Sequence, residues 1–382
     1  MKTQLYEWHE KNGEITNFSG FKMPVLYSSI KEEHMIVRTA AGLFDVSHMG
    51  RMWIEGQDAE KFLNLLVPRD LAKTPVGRTS YTFMLNEYGG FKDDMVIGRI
   101  EMNKWLLVWN AGNLQKITNW MNSIKSTLDQ FNDLDIILRD ISSSSAMFAL
   151  QGPKAVNVLS EILNEDIELP SAWNILKTMF NDIKVIISGT GYTGENGYEI
   201  IVLNTTIEDP TKAIQIWEHL LKIGESERIK PCGLGARDSL RLEAGFPLYG
   251  NDINESITPI EANLFFPPLV HLDKPFFFGK SNLQLFSNSR PNNIRVGFIA
   301  LRKGPIPRPG LKLFKDGKEI GVVSSGGYSP VLNIGIGMGY VPPNMNEEGN
   351  LIQFEVRGKL HYVKIKKFPL FDPKKWGAKR KQ

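Results

Sequence analysis

Two adjacent acids, Asp93 and Asp94, are the first residues in this chain whose type and setting suggest chemistry. They follow Asn86-Glu87-Tyr88-Gly89-Gly90, a turn, and lead Phe91-Lys92-Asp93-Asp94-Met95-Val96-Ile97-Gly98, which has the character of a strand. Acids are disfavoured in strands, and neighbours along a strand point to opposite faces. One of the pair is therefore expected to face inward, and the other to cap the turn or meet water. An inward carboxylate can serve as a general base or stabilise a developing cation. Spacing does not choose between the two acids, and simple turn capping stays open. A second candidate is the helix expected within Gly233 to Gly245, where Arg237 and Arg241 fall at i, i+4 and share a face. An arginine beside a helix N-terminus is a natural anion site; a surface ion pair between Asp238 and Arg241 is the equal alternative.

Other chemistries have weaker footing. Gly189, Gly191 and Gly194 spell G-x-G-x-x-G after the strand-like Ile183 to Ile187, but they run through Asn196-Gly197 into Tyr198 to Leu203, a second strand. A dinucleotide fingerprint needs a helix there, whereas Asn-Gly between two β runs signals a hairpin. Gly279-Lys280-Ser281 ends like a P-loop, yet Lys274 stands where the motif needs glycine. The six histidines form no H-x-H or H-x-x-x-H pair, so no metal is expected. No G-x-S-x-G elbow supports a hydrolase, and His48, in Phe44-Asp45-Val46-Ser47-His48-Met49-Gly50, reads as structural.

The elements that must carry these residues alternate between strand and helix, an α+β pattern. Arg51 to Gly56 and Trp105 to Trp109 read as strands. Asp58 to Leu66 and Asn113 to Leu128 read as amphipathic helices, and Gln151-Gly152-Pro153 opens a third with Pro153 in its first turn. Residues 1–285 are expected to form one α+β body of two intertwined subdomains. After a linker containing SNSRPNN, residues 294–382 are expected to form a small all-β domain with a basic tail. Its strands are placed at Arg295 to Ala300, Leu311 to Leu313, Glu319 to Ser324, Gly335 to Val341 and Ile352 to Val356.

Across 382 residues the net charge is +3, yet Arg357 to Gln382 holds ten Lys or Arg against one acid, Asp372. A solvated tail is the first reading of that run, and a docking surface for an acidic protein the second. Nucleic acid is not expected, because no basic-aromatic motif accompanies the charge. The single Cys232 excludes an internal disulfide. The start, MKTQLYEWHEKNG, has neither signal nor transit character, and no window is long and apolar enough to span a bilayer. A cytoplasmic location is expected.

Together these segments resemble the glycine cleavage system T-protein (aminomethyltransferase) family over nearly the whole chain. The resemblance lies in their order: Phe18-Ser19-Gly20-Phe21-Lys22-Met23-Pro24-Val25-Leu26-Tyr27, Leu43 to Met49, Asn86 to Asp94, Ala149 to Pro153, Gly189 to Glu199, Gly233 to Gly245, Leu248-Tyr249-Gly250-Asn251-Asp252, Val323-Ser324-Ser325-Gly326 and Met338-Gly339-Tyr340-Val341. It implies an α+β, three-domain ring around a central folate channel, with a C-terminal barrel-like domain. It further implies that Asp94 lies near the reactive pterin nitrogens and that Glu199 and Arg237 hold the folate. Tyr81, Asn110, Tyr192 and Met49 would be neighbours, and Trp376 a pocket or tail contact. The implied reaction moves a one-carbon unit from the aminomethyl-dihydrolipoyl arm of an H-protein to tetrahydrofolate, with loss of ammonia and without a metal. The family's H-proteins are typically acidic, which suits the basic end.

Three departures touch pocket walls: Phe21 where the family usually has Trp, Asn263-Leu264-Phe265-Phe266 for a Gly-Leu-x-Trp phrase, and Trp376 for a tyrosine. A folate-dependent demethylase of a small amine or sulfonium compound is the alternative enzyme. A folate-binding regulatory or iron–sulfur assembly protein would carry a Lys-Gly-Cys-Tyr-x-Gly-Gln-Glu phrase. Ser188 to Glu195 contains no cysteine, which counts against that reading.

Overall fold

The computed structural model describes residues 1–131, 133–163 and 167–380. The chain divides into two compact units, neither continuous in sequence. The first gathers Met1–Phe83, Asp93–Gly191 and Glu195–Arg237; the second gathers Met84–Lys92, Tyr192–Gly194 and Asp238–Gln382.

The strands of the first unit form two mixed-sequence sheets. One has five strands in the order Arg78–Leu85, Phe91–Glu101, Lys104–Trp109, Gly50–Glu55, Ile137–Asp140. The other has six, in the order Ile175–Phe180, Ile183–Ser188, Gly197–Leu203, Ser145–Gln151, Gly42–Asp45, Lys230–Pro231. In the six-stranded sheet, alternate residues supply one buried face: Ala146, Phe148 and Leu150, Val185 and Ile187, Ile200 and Val202. The helix Thr211–Ile223 meets that face with Ala213, Ile216, Trp217 and Leu220, the i, i+3, i+4, i+7 set that a 3.6-residue period aligns. The helix Ala155–Ile162 adds Ala155, Val158 and Leu159. This helix begins two residues after Pro153, which lies in the preceding turn rather than in the first helical turn. The helices expected near Asp58 and Asn113 are Ala59–Leu66 and Leu114–Asp129.

The G-x-G-x-x-G stretch connects antiparallel neighbours, with Ser188 paired to Glu199, so it is the hairpin its flanking strands indicate. A Cβ at Gly191 would sit 1.9 Å from the Gln151 carboxamide, so any larger residue there would displace that buried group.

In the second unit the strands Ile294–Ala300, Ile334–Val341, Lys318–Ser329, Lys312–Lys315, Leu351–Val356 and Lys359–Lys366 close into a barrel. Val296, Phe298, Leu313, Val323, Val341, Ile352, Phe354, Val363 and Ile365 fill its core. Lys359–Lys366, absent from the sequence-based assignment, is the strand that closes it. Lys364 and Lys366 alternate with Val363 and Ile365, so the basic run is part strand, with these two charges on the outward positions. Nor is the remainder a loose tail up to Arg380. Leu370 and Phe371 are buried, and the Ala378 amide donates to the Gly194 carbonyl at 2.9 Å. Lys381 and Gln382 lie outside the described residues. Among the described residues no helix is long and apolar enough to cross a membrane.

A buried ion network fixes the second unit. The Arg241 guanidinium donates to Asp252 Oδ2 at 2.7 Å and to Ser325 Oγ at 2.9 Å, and Asp252 also accepts from Ser324, Ser325 and the Leu248 amide. Arg241 and Asp252 side chains are 2% and 0% exposed, whereas Asp238, the arginine's other acidic partner, is 55% exposed. Asp252→Ala would strand a buried cation, so unfolding in denaturant is expected to show a loss of about 3–5 kcal/mol; a change below about 1 kcal/mol would refute that role.

Candidate functional site

The five-stranded sheet aligns the site by register. Trp109 pairs with Met95 on one side and with Gly50 on the other. Immediately beyond that row lie Asp94, inside the strand Phe91–Glu101, Asn110, just after Lys104–Trp109, and Met49, just before Gly50–Glu55. Glycine is needed at 50 because a Cβ would stand 2.2 Å from the Trp109 ring.

Asn110 organises the acids. Its backbone N–H donates to Asp93 Oδ2 at 3.1 Å. Its side-chain amide donates to Asp93 Oδ1 and to Asp94 Oδ1, both at 2.8 Å. The Tyr81 hydroxyl donates to the other Asp94 oxygen at 3.1 Å. Asp93 is 0% and Asp94 9% exposed. The expectation that one acid would cap the turn or meet water is therefore corrected: both turn inward, because one asparagine at the end of the adjoining strand satisfies both. Burial, followed by the neighbouring Asp94 charge, pushes the Asp93 carboxyl far above the usual carboxylate range, toward about 8, against the opposing hydrogen bonds from Asn110.

Met49 is half-buried, and its carbonyl accepts from the Arg51 guanidinium at 2.5 Å. Arg51 also donates to the Ser47, Ser142 and Ser145 carbonyls, so a fully buried cation moulds the Ser47–Met49 turn. Behind that turn, Asp45 accepts from the Ser47 amide at 2.8 Å and from Thr3, and contacts His9 Nε2 at 2.9 Å. His9 Nδ1 in turn meets the Tyr27 hydroxyl at 2.7 Å. Burial raises the Asp45 pKa, but the His9 and Ser47 contacts outweigh it and bring the carboxyl down to about 2. Neither Arg51 nor this relay was identified from the sequence; a charged residue inside the apolar Met49 to Ile54 run was the available signal.

His48 is buried against Phe18 and Phe21, with ring centroids at 5.5 and 6.3 Å. Phe21, in place of the expected Trp, fills its wall together with Met23 and Ala111, and Leu234 packs on the same cluster. That contact sets the start of the helix Leu234–Ala244 beside the residue following Asn110. Burial first, then the Arg237 charge, lowers the His48 pKa to about 3, so its imidazole is neutral and Arg237 is within electrostatic reach.

Tyr81, Asp94, Asn110 and Met49 are thus brought together, with Arg237 approaching through His48. Glu199 stands on the second sheet, where its carboxylate accepts from Thr190 at 2.5 Å, and Thr190 is linked to Ser188 at 2.7 Å. Tyr192 and Trp376 belong to the second unit. There the Tyr192 ring stacks on Phe246 and its hydroxyl donates to the Pro247 carbonyl, while Trp376 is half-buried. Asn263, standing for the expected glycine, holds φ +58°, a left-handed conformation asparagine tolerates. Of the two readings of the 233–245 helix, the Asp238–Arg241 pair exists at 2.7 Å, and Arg237 remains the candidate for an anion. Among the described residues no group of three or more His, Cys, Asp or Glu could hold a metal.

This architecture has a close counterpart in a solved structure: the glycine cleavage system aminomethyltransferase T from Bartonella henselae superimposes with a TM-score of 0.86 at 33% identity, covering 97% of this chain and 98% of that one. An aminomethyltransferase from Thermosipho melanesiensis is 42% identical over 97% of this chain and 96% of its own length. A probable aminomethyltransferase from Thermococcus kodakarensis is 38% identical over 100% and 99%. The fold and its relatives define an enzyme of the aminomethyltransferase class. Residues 5–274 match the GCVT N-terminal domain and residues 294–372 the glycine cleavage T-protein C-terminal barrel domain. The chain belongs to the glycine cleavage T-protein family.

The His48 environment gives a pH test. A histidine whose folded pKa is lowered from 6.5 to about 3 binds fewer protons in the native state, so its stabilising contribution is lost as pH falls through that window. His48→Gln, which cannot titrate, is expected to flatten the loss between about pH 6.5 and 3 by a few kcal/mol, on the order of this linkage. Unfolding curves that stay parallel to wild type would exclude a buried neutral imidazole.

Proposed function

We propose that this enzyme transfers the one-carbon unit of an aminomethylated, lipoylated H-protein to tetrahydrofolate in the cytoplasm, releasing ammonia, with Asp94 as its catalytic residue. The observation that carries this reading is the buried carboxylate of Asp94, fixed from both sides by Tyr81 and Asn110 and 9% exposed. Expelling ammonia or a thiolate from a carbon bearing both heteroatoms builds an iminium-like cation on the donor. A fixed anion in a water-poor site stabilises that charge without reorganising. The donor set also fits the acceptor: Asp94, Tyr81 and Asn110 match the polar edge of a pterin, and Arg237 near a helix start matches its anionic tail. Tetrahydrofolate would supply the two nucleophilic nitrogens. Glu199, Met49, Tyr192 and Trp376 are proposed as further contacts.

Ammonia release from aminomethylated H-protein, with and without tetrahydrofolate, tests the reaction. Folate-stimulated release supports it, whereas turnover of a small amine or sulfonium compound without H-protein would favour the demethylase. Asp94→Asn keeps the shape and removes the charge, so turnover should fall on the order of a hundredfold or more, while calorimetry shows little change in folate affinity. Equal turnover in the variant and wild type would remove Asp94 from the reaction.

We also propose that the basic C-terminal segment steers an acidic H-protein. Lys374, Lys375 and Lys379 are exposed, Arg380 is half-buried, and the barrel adds a groove lined by Arg308, Arg357, Lys359 and His361. Changing Lys374, Lys375 and Lys379 to Gln is expected to slow association with H-protein and flatten its salt dependence, since such attraction is screened over about 8 Å at physiological ionic strength. Stopped-flow binding across salt concentrations gives the answer; superimposable profiles would make these lysines bystanders.

A further inference from the structure

We propose that Asp93 is a positioning residue of this site: through Asn110 it fixes the rotamer of Asp94, and it holds the one proton that the two carboxyls share. The inference rests on Asp94 being the reacting carboxylate, as proposed above.

The geometry is that of a clamp. Asp93 takes both the backbone N–H and one side-chain N–H of Asn110, a two-point hold that sets the plane of the asparagine amide. An amide nitrogen has two hydrogens. With one committed to Asp93, the other serves Asp94 alone, reaching Oδ1 at 2.8 Å and the main-chain carbonyl at 3.1 Å. Tyr81 from the Arg78–Leu85 strand holds the remaining Asp94 oxygen, leaving that carboxylate little rotational freedom. The groups facing Asp93 are Asp94 on its own strand and Asn110 and Asn113 from the segment after Lys104–Trp109, with Tyr81 reaching Asp94. Two carboxyl oxygens that share one donor nitrogen at 2.8 Å are close together in a dry site. Like charges so placed do not both ionise near neutrality. The proton stays with Asp93, 0% exposed, while the charge stays with Asp94, which has the Tyr81 hydroxyl and the greater access to solvent. The upward shift of the Asp93 carboxyl toward about 8 agrees with this assignment.

Two measurements on the full-length enzyme separate this role from plain packing. The first is stability against pH. A carboxyl whose folded pKa is raised from 3.8 to about 8 contributes stability that is complete below the lower value and lost as pH rises through the upper one. Wild type should therefore lose stability relative to Asp93→Asn between about pH 4 and 8; parallel curves would overturn the shared proton. If Asp93→Asn does not accumulate as folded protein, Asn110→Ala replaces it. Removing a hydrogen bond that lowers the Asp93 pKa should extend the loss to higher pH, and an unchanged window again overturns the proposal.

The second measurement is a double-mutant cycle on transfer. Asn at 93 offers one acceptor to two Asn110 donors, so Asn110 must turn. Asp93→Asn and Asn110→Ala should each lower kcat by about a hundredfold, the scale of a small misplacement of a catalytic group, with KM for tetrahydrofolate nearly constant. The double variant should be no worse than the poorer single one, and multiplying losses would show that Asp93 does not act through Asn110. Because the pH curves require no turnover, failure of the proposed reaction would still leave the proton assignment tested.

Discussion

The site depends on a single asparagine reconciling two carboxyl groups that would otherwise repel each other out of the protein. Burying one acid is costly, and burying two side by side is tolerable only if donors replace the lost water and one charge is neutralised. Asn110 provides three of those donor contacts from one residue, through its backbone and its side chain. The register that brings it there is fixed by Trp109 between Met95 and Gly50. The sheet is thus more than a scaffold: a one-residue slip would turn Asn110 to the other face and leave Asp93 and Asp94 unsatisfied.

The surroundings follow a similar logic of charge kept dry but answered. Arg51 is wholly buried and spends its donors on carbonyls of the Ser47–Met49 and Ser142–Ser145 turns. Burial with only distant acids brings its pKa down to about 10. Asp45 is buried too, yet carries donors from His9, Ser47 and Thr3. His48 feels Arg237, Asp45 and Arg51, and with its own burial the ring remains neutral. A neutral ring there adds no further cation beside Arg51 and Arg237.

Much of this was legible in the residues. Sequence patterns located the helices Ala59–Leu66 and Leu114–Asp129 and five strands of the barrel, left Tyr6–Asn12, Ile30–Thr39, Thr211–Ile223 and Lys280–Ser287 unassigned, and the order of short motifs gave the family. The barrel's closing strand was missed because Lys359, Lys364 and Lys366 dominate its composition, while the two residues that define it, Val363 and Ile365, are few and alternate. The second acid was misplaced because strand alternation holds for regular strands away from a donor that reaches both sides. Asn110 lies seventeen residues from Asp93 in sequence, and nothing local announces the pairing. His9 and Tyr27 escaped notice for the same reason: their partnership with Asp45 is made by distant segments.

The division of the chain has a consequence for how the protein is made. Each compact unit is assembled from three separate stretches, and the first is not complete until Arg237. On a ribosome, the hairpin tip Met84–Lys92 emerges long before the residues of its own unit, which begin in earnest at Asp238. Among its anchors are the Asn254 and Glu255 carbonyls, which accept from Phe91 and Asn86. More than 150 residues of nascent chain must therefore be translated before this turn can dock, and at typical synthesis rates that is a wait on the order of ten seconds. For that interval the acid pair directly after the turn is adjacent to an unfinished segment. The docking of this turn is timed by connectivity, through the order in which the pieces of its unit arrive.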